Sequence, residues 1–131
     1  MRVLRMEAEK AAAALLRDDE GALVVGTGAV RSLEELQLAH YLAERSLEKK
    51  TNVANKLKFE FLLWLTGKTD IRSAIAAAAP ETGGNALVVV FSGRGTDALV
   101  KKLEALGAVD AHLDKDAQPL ALERISLSRL K

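Results

Sequence analysis

Apolar and polar residues alternate along this chain in patterns that separate strands from helices. Short apolar runs predict strands at Met1–Met6, Ala22–Val25 and Ala86–Phe91. Near the C-terminus, alternation between apolar and polar residues predicts a last, half-exposed strand from Ile125 to Ser128. We therefore expect about four strands spread over the length of the chain.

Apolar residues three and four positions apart predict five helices between these strands. The first predicted helix is Glu7–Asp18; the second is capped by Ser32 and ends near Lys50. The third is capped by Thr51 or Asn52 and ends at Thr66. The fourth is Asp70–Ala79, and the fifth is Asp97–Leu106, capped by Thr96. The second helix has the clearest start, because Ser32 and Glu35 have the spacing of a capping box. Gly67 and Gly107 follow the third and fifth helices where a C-terminal glycine is expected.

The spacing within the helices also predicts which residues face a core. The third helix is expected to bury Val53, Leu57, Phe61 and Trp64, widened by Leu62 and Leu65, and the fourth is expected to bury Ile71, Ala74, Ile75 and Ala78. Several helices follow one another between the second and third strands, without a regular strand–helix–strand alternation. This order favours an α+β fold, with helices packed on a small, mostly antiparallel sheet in a single domain over residues 1–131.

The composition limits the possible classes of protein. With 49% hydrophobic and 28% charged residues, it is typical of a soluble globular domain. The absence of cysteine excludes disulfides, a thiol nucleophile and a cysteine zinc site. No apolar run approaches the length of a membrane helix, and no signal-peptide pattern opens the chain, so we expect a cytoplasmic protein with no membrane association. Asparagine and glutamine are scarce, as in many proteins from thermophiles.

Candidate catalytic or anion-binding groups are few. The two histidines, His40 and His112, lie in different elements without the partners of a metal site or a triad. The Ser92–Thr96 segment lies between a strand and a helix, where backbone N–H groups can hold a phosphate. It lacks a complete nucleotide-binding motif, so a structural turn and an anion contact both remain open. We predict no enzyme activity, cofactor or metal, with a small nucleotide- or anion-binding enzyme as the alternative.

A cluster of basic residues is the strongest candidate for binding. Residues 45–58 contain five cations and a single acid, Glu48; the cations are Arg45, Lys49, Lys50, Lys56 and Lys58. Such a local positive field suits phosphate, although a solvated helix face has the same composition. Glu60 follows in a strongly apolar segment, where a partly buried carboxylate needs a cation or backbone donors.

Within Val24–Val90, four successive segments resemble a known family in order and spacing: the helix Leu33–Leu47, then Lys50–Asn55, Glu60–Gly67 and Ile71–Ile75. Downstream, Gly83–Phe91 resembles the glycine turn and valine-rich strand of that family. Together they resemble the TPRKB-like, kinase-binding subunit of the KEOPS complex, which makes threonylcarbamoyladenosine in tRNA. The chain departs from the family at Thr69-Asp70, where a basic or polar pair is usual.

The resemblance implies a non-catalytic subunit that binds the PRPK-type kinase subunit and, in archaea, recruits tRNA through its 3′ CCA end. It also agrees with an α+β domain. On this basis we expect the RNA phosphates to contact Lys49, Lys50, Asn55, Lys56, Lys58, Lys68 and Arg72, with Glu60 ordering the site. A protein-interaction module without an RNA role is a further alternative.

Overall fold

A computed structural model describes residues 1–14, 21–30, 32–80, 83–91, 96–111, 113 and 119–126. These residues form an α+β protein, as predicted. In chain order the elements are β1 (Arg2–Glu7), α1 (Ala8–Ala14), β2 (Ala22–Gly26), α2 (Leu33–Lys49), α3 (Leu57–Thr66), α4 (Ile71–Ala78), β3 (Asn85–Val90), α5 (Thr96–Ala105), β4 (Val109–Asp110) and α6 (Pro119–Ser126).

The chain divides into two compact units, each made of two separate segments. Unit 1 comprises Met1–Gly28 and Ala79–His112, and unit 2 comprises Ala29–Ala78 and Leu113–Lys131. A single domain over residues 1–131 stays a prediction.

Unit 1 contains a four-stranded sheet in the order β2-β3-β1-β4. Each neighbouring pair is antiparallel, which confirms the predicted character of the sheet. Val88 of β3 pairs with Leu4 of β1 on one side and with Val24 of β2 on the other. Thus β1 and β2 both depend on a strand that comes much later in the chain.

The core of unit 1 lies between the sheet and the helices α1 and α5. Along β1, Leu4 and Met6 are buried while Arg5 and Glu7 are exposed, as the period of two in a strand requires. The buried apolar side chains that form this core are Leu4, Met6, Ala11, Ala22, Val88, Val90, Val100, Leu103 and Ala108. Hydrophobic burial therefore holds α1 and α5 against the sheet.

Unit 2 is built around α3, which contacts α2, α4 and α6. Every residue from Phe61 to Leu65 is buried, as expected for a helix surrounded by others. Gly67 ends this helix in the left-handed conformation, with φ of 71°, which confirms the predicted end.

The capping box at the start of α2 is also confirmed. The hydroxyl Oγ of Ser32 accepts the backbone N–H of Glu35 at 3.2 Å, and the Oε2 of Glu35 accepts the backbone N–H of Ser32 at 2.9 Å. Two N–H groups that the first helical turn leaves unpaired are thereby satisfied.

Three predicted features are wrong. First, α3 begins at Leu57 with Lys56 as its N-cap, and not after Thr51 or Asn52. Second, Val53, Ile71 and Ile75 are exposed, at 54%, 38% and 49% of their surface. In α4 the residues turned inward are the small ones, Ala74 and Ala78.

Third, the chain around Ile125 is helical, because α6 runs from Pro119 to Ser126. The i, i+3 spacing of Leu122 and buried Ile125 suits a helix, and proline is favoured at a first helical position. The fourth strand is instead Val109–Asp110. Residues 127–131, and residues 15–20 of the predicted first helix, lie outside the described part of the chain.

Among the residues that the structure describes, no helix combines the length and the apolar character needed to cross a membrane.

Candidate nucleic-acid interface

The predicted RNA-binding residues all lie in unit 2, but they form two groups. Five of them belong to what we call the α2–α3 junction, residues 49–58: Lys49, Lys50, Asn55, Lys56 and Lys58. Lys68 and Arg72 lie beyond the other end of α3. Since α3 has ten residues, its axis separates the two groups by about 15 Å.

The first part of the junction is the end of α2, where the chain reverses. Lys50 adopts the left-handed conformation, with φ of 58°, and its backbone N–H bonds to the carbonyl of Leu47 at 3.4 Å. The next N–H, that of Thr51, bonds to the carbonyl of Ser46 at 2.9 Å. Lys49 and Lys50 are both exposed, and neither makes a salt bridge within the described residues. Both side chains therefore reach solvent at the C-terminal end of α2.

The second part, residues 51–56, is held by the side chain of Glu60. Its carboxylate oxygen Oε1 accepts the backbone N–H of Val53 at 3.1 Å and that of Ala54 at 3.0 Å. Glu60 is fully buried, so these two donors offset part of the cost of burying its charge. The amide of Asn52 adds a hydrogen bond to the carbonyl of Ala54 at 2.9 Å.

This arrangement also explains where α3 begins. The N–H groups of Phe59 and Glu60 bond to the carbonyl of Lys56, at 3.1 and 2.9 Å, and open the helix there. Val53 and Ala54 precede this first turn, and their N–H groups bond to the Glu60 carboxylate. Residues 51–56 are thus a hydrogen-bonded loop and not an additional helical turn.

The side chains of the junction differ in how far they reach solvent. Asn55 is exposed and Lys56 is half-buried. Lys58 retains only 8% of its exposed surface, and its Nζ lies 5.2 Å from the centre of the Phe59 ring. A cation over an aromatic face is favourable there, but the covered Lys58 is less accessible to phosphate than Lys49 or Lys50.

The second group of cations, Lys68 and Arg72, has an acidic residue, Asp70, between its members in the sequence. Oδ1 of Asp70 accepts the N–H of Ser73 at 2.8 Å and so caps α4. Hydrogen bonds from Ser73 lower the pKa of Asp70, and the charges of Lys68 and Arg72 lower it further. The carboxylate therefore remains ionised between these two exposed cations and offsets their field. The sequence departure noted at Thr69-Asp70 thus coincides with a helix cap.

Sequence reasoning did not identify Val53 as a surface residue. Its helical spacing from Leu57 and Phe61 placed it in the apolar stripe, yet it lies on the loop with its side chain exposed. The sequence feature that indicated an exposed Val53 was its position inside the mostly polar run Lys49–Lys56.

Most of the aromatic side chains that could stack on bases are buried. Phe61 and Phe91 are buried, and the indole N–H of Trp64 donates to Oγ of Ser46 at 3.1 Å. Tyr41 is exposed on α2, where its hydroxyl accepts a hydrogen bond from Arg45 at 2.8 Å.

The remaining candidates from the sequence are the two histidines and the Ser92–Thr96 segment. His40 lies 2.8 Å from Oε1 of Glu44 on the same face of α2. Within the described ranges, no three histidine or acidic residues are grouped as a metal ion would require. His112 and Ser92–Gly95 lie outside the described residues, while Thr96 donates a hydrogen bond to the carbonyl of Phe91 at 3.1 Å.

No protein-family model matches this chain, and a comparison with curated proteins likewise finds no match.

Proposed function

We propose that this chain is a non-catalytic subunit of a KEOPS-type complex, which binds the PRPK-type kinase subunit and recruits tRNA through its 3′ CCA end. Two lines support the proposal. One is the resemblance of the stretch Val24–Val90 to the TPRKB-like family. The other is the α2–α3 junction, in which a buried carboxylate holds a loop flanked by exposed lysines.

The α2–α3 junction is the main structural support for the proposal of RNA binding. Lys49 and Lys50 are two exposed lysines adjacent in sequence, and no acidic residue occurs between Lys49 and Phe59. Lysines in such a field contact phosphates and contribute affinity without reading the base sequence. Selection of the 3′ end must then come from its unpaired form, which presents bases that a duplex hides.

In this proposal the chain contributes binding, and the chemistry belongs to other subunits. A cytoplasmic location follows from the same role. The contact with the kinase rests on the family resemblance.

The decisive experiment compares the binding of intact tRNA with that of the same tRNA lacking its CCA end, in a gel-shift titration. We expect intact tRNA to bind more tightly, and both complexes to weaken steeply as salt rises. Equal affinity for the two RNAs would exclude recognition of the end.

A matched pair of variants tests where the RNA binds. Lys49→Ala with Lys50→Ala removes the two exposed lysines of the junction and should weaken binding. Lys101→Ala with Lys102→Ala removes two exposed lysines from α5 in unit 1 and should leave it nearly unchanged. If both pairs weaken binding equally, the contact reflects total charge and not the junction.

Capture of the PRPK-type kinase by the tagged chain tests the second part of the proposal. Retention of the kinase with no shift of tRNA would support a protein-interaction module without an RNA role. Failure to retain the kinase would contradict the kinase-binding role.

A further inference from the structure

We infer that Val53 contacts an unpaired nucleotide of the RNA and that Glu60 is the residue that positions it. This inference rests on the proposed function, because it specifies how the α2–α3 junction would meet the 3′ end. It assigns roles to one exposed apolar side chain and to one buried acid.

Hydrogen bonds hold the backbone around Val53. The N–H of Val53 and the N–H of the next residue both bond to Oε1 of Glu60, and the carbonyl of Ala54 accepts a hydrogen bond from Asn52. Ala54 itself is buried, which anchors the loop at the residue beside Val53. Three hydrogen bonds and one buried side chain therefore define the conformation of a very short segment.

This backbone presents an apolar side chain to solvent. Val53 keeps 54% of its surface exposed, although a mobile loop could fold an apolar side chain against its neighbours. The bonds to Glu60 fix the backbone from which this side chain projects. A contact group fixed before binding loses little conformational entropy when the ligand arrives, so it contributes more of its burial to affinity.

The lysines around Val53, together with its apolar side chain, match the chemistry of an unpaired nucleotide. Lysines lie before and after Val53, at Lys49, Lys50 and Lys56, so the surroundings attract phosphate. A valine has no hydrogen-bonding group, and its methyl groups pack against an apolar face. A nucleotide with its base unstacked combines a phosphate with such a face, whereas a duplex keeps its bases stacked on one another.

The Val53 variant provides the first test. Val53→Ala should lower the affinity for intact tRNA about three- to tenfold, because part of an apolar contact is lost. Its affinity for tRNA without the CCA end should not change. The slope of log affinity against log salt should also stay the same, since no phosphate contact is removed.

Leu120→Ala serves as the control for this variant. Leu120 is 76% exposed on α6 of the same unit, so its truncation removes a comparable apolar surface elsewhere. It should leave both affinities unchanged.

Variants of Glu60 test its positioning role. Glu60→Gln keeps an oxygen acceptor for the two N–H groups and should bind intact tRNA nearly as the native protein does. Glu60→Leu removes the acceptor and should weaken binding at least as much as Val53→Ala. In the Glu60→Leu background, Val53→Ala should have little further effect, because an unpositioned valine contributes little.

The outcomes separate this inference from the proposed function. If the native chain binds no tRNA, the proposed function fails and this inference fails with it. If the native chain prefers intact tRNA while Val53→Ala binds it equally well, the Val53 contact is excluded and the proposed function stands. If Val53→Ala has the same effect with Glu60 and with Leu at position 60, the positioning role is excluded. If Glu60→Leu does not fold, Val53→Ala still decides the Val53 contact, and a loss of binding in Glu60→Gln as large as that in Val53→Ala would exclude positioning through the acceptor oxygen of residue 60.

Discussion

Lys50 combines a backbone conformation that favours glycine with a proposed binding role that requires its side chain. It ends α2 in the left-handed conformation, where glycine is favoured, and it also presents a charge at the proposed RNA-binding junction. A non-glycine residue in this conformation costs about 1 kcal/mol.

The variant Lys50→Gly is therefore expected to stabilise the protein while weakening RNA binding. The free energy of unfolding should rise by up to about 1 kcal/mol as the strain is relieved. Lys49→Gly is the matched control, since it places glycine inside the last helical turn and should destabilise the protein by about 0.5–1 kcal/mol. Urea unfolding of the two variants checks this. A loss of stability in Lys50→Gly would contradict it.

Gly26 is required for a close approach of two chain segments in unit 1. A Cβ at this position would lie 2.8 Å from the carbonyl oxygen of Ala79 and 3.1 Å from Cα of Pro80. Both are backbone atoms, which cannot move aside as a flexible side chain does.

Gly26→Ala should therefore destabilise the protein by about 1–3 kcal/mol, the usual cost of overpacking. Gly28→Ala provides the control, because a Cβ there meets no atom within 4 Å. Thermal unfolding of the pair measures the difference. Equal melting temperatures would show that the 79–80 segment shifts without cost.

At the scale of single elements, α4 depends on an ionised cap. Hydrogen bonds from Ser73 lower the pKa of Asp70 from its ordinary value of 3.8, with smaller contributions from Lys68 and Arg72. A carboxyl group with a lowered pKa in the folded state stabilises the protein above its ordinary pKa. That contribution disappears as the pH falls through the lowered value.

We expect the protection of α4 amides from hydrogen exchange to decrease on acidification below pH 3.8, through loss of this cap. Asp70→Asn keeps a capping oxygen but does not titrate, so its α4 should lose less protection over the same range. An identical pH profile in the native protein and in Asp70→Asn would assign the change to other groups.

The elements that could be predicted from sequence are those whose signals are local. The capping box of Ser32 and Glu35 marks the start of α2, Gly67 marks the end of α3, and the apolar run after Asn85 gives β3. Each depends on residues within a few positions of one another, so a single sequence contains the whole signal.

The start of α3 and the exposed face of α4 depended on contacts that periodicity does not reveal. Val53 and Ala54 lie in the loop before α3, where their N–H groups bond to the Glu60 carboxylate. In α4, which contacts α3, the buried residues are Ala74 and Ala78, whereas Ile71 and Ile75 are exposed. The basic residues of the site were likewise evident from sequence, but their separation into two groups required the length of α3.

For the whole molecule, the net charge of +1 conceals the distribution that matters for binding. Lys49 and Lys50 lie in a stretch without acids, whereas Asp70 lies between Lys68 and Arg72. The two groups should therefore contribute unequally to any contact with RNA.

Salt dependence of tRNA binding can measure this inequality. Lys49→Ala with Lys50→Ala should reduce the slope of log affinity against log salt by about 1.4–1.8, the value for two lost phosphate contacts. Lys68→Ala with Arg72→Ala should reduce it less, because their field is already offset by Asp70. Equal reductions would show that both groups contact phosphates alike.

The position of β3 between β1 and β2 has a consequence for the order of folding. The register joins Arg2 and Ala22 to the same residue, Val90, so neither early strand has a neighbour until that residue is available. The α2–α3 pair, by contrast, needs only one short loop to be closed. During synthesis the helical pair can thus form while β1 and β2 wait for the later strand, and closure of the sheet should be the slow step. A ribosome-bound chain that ends before Asn85 would contain the junction loop but no sheet.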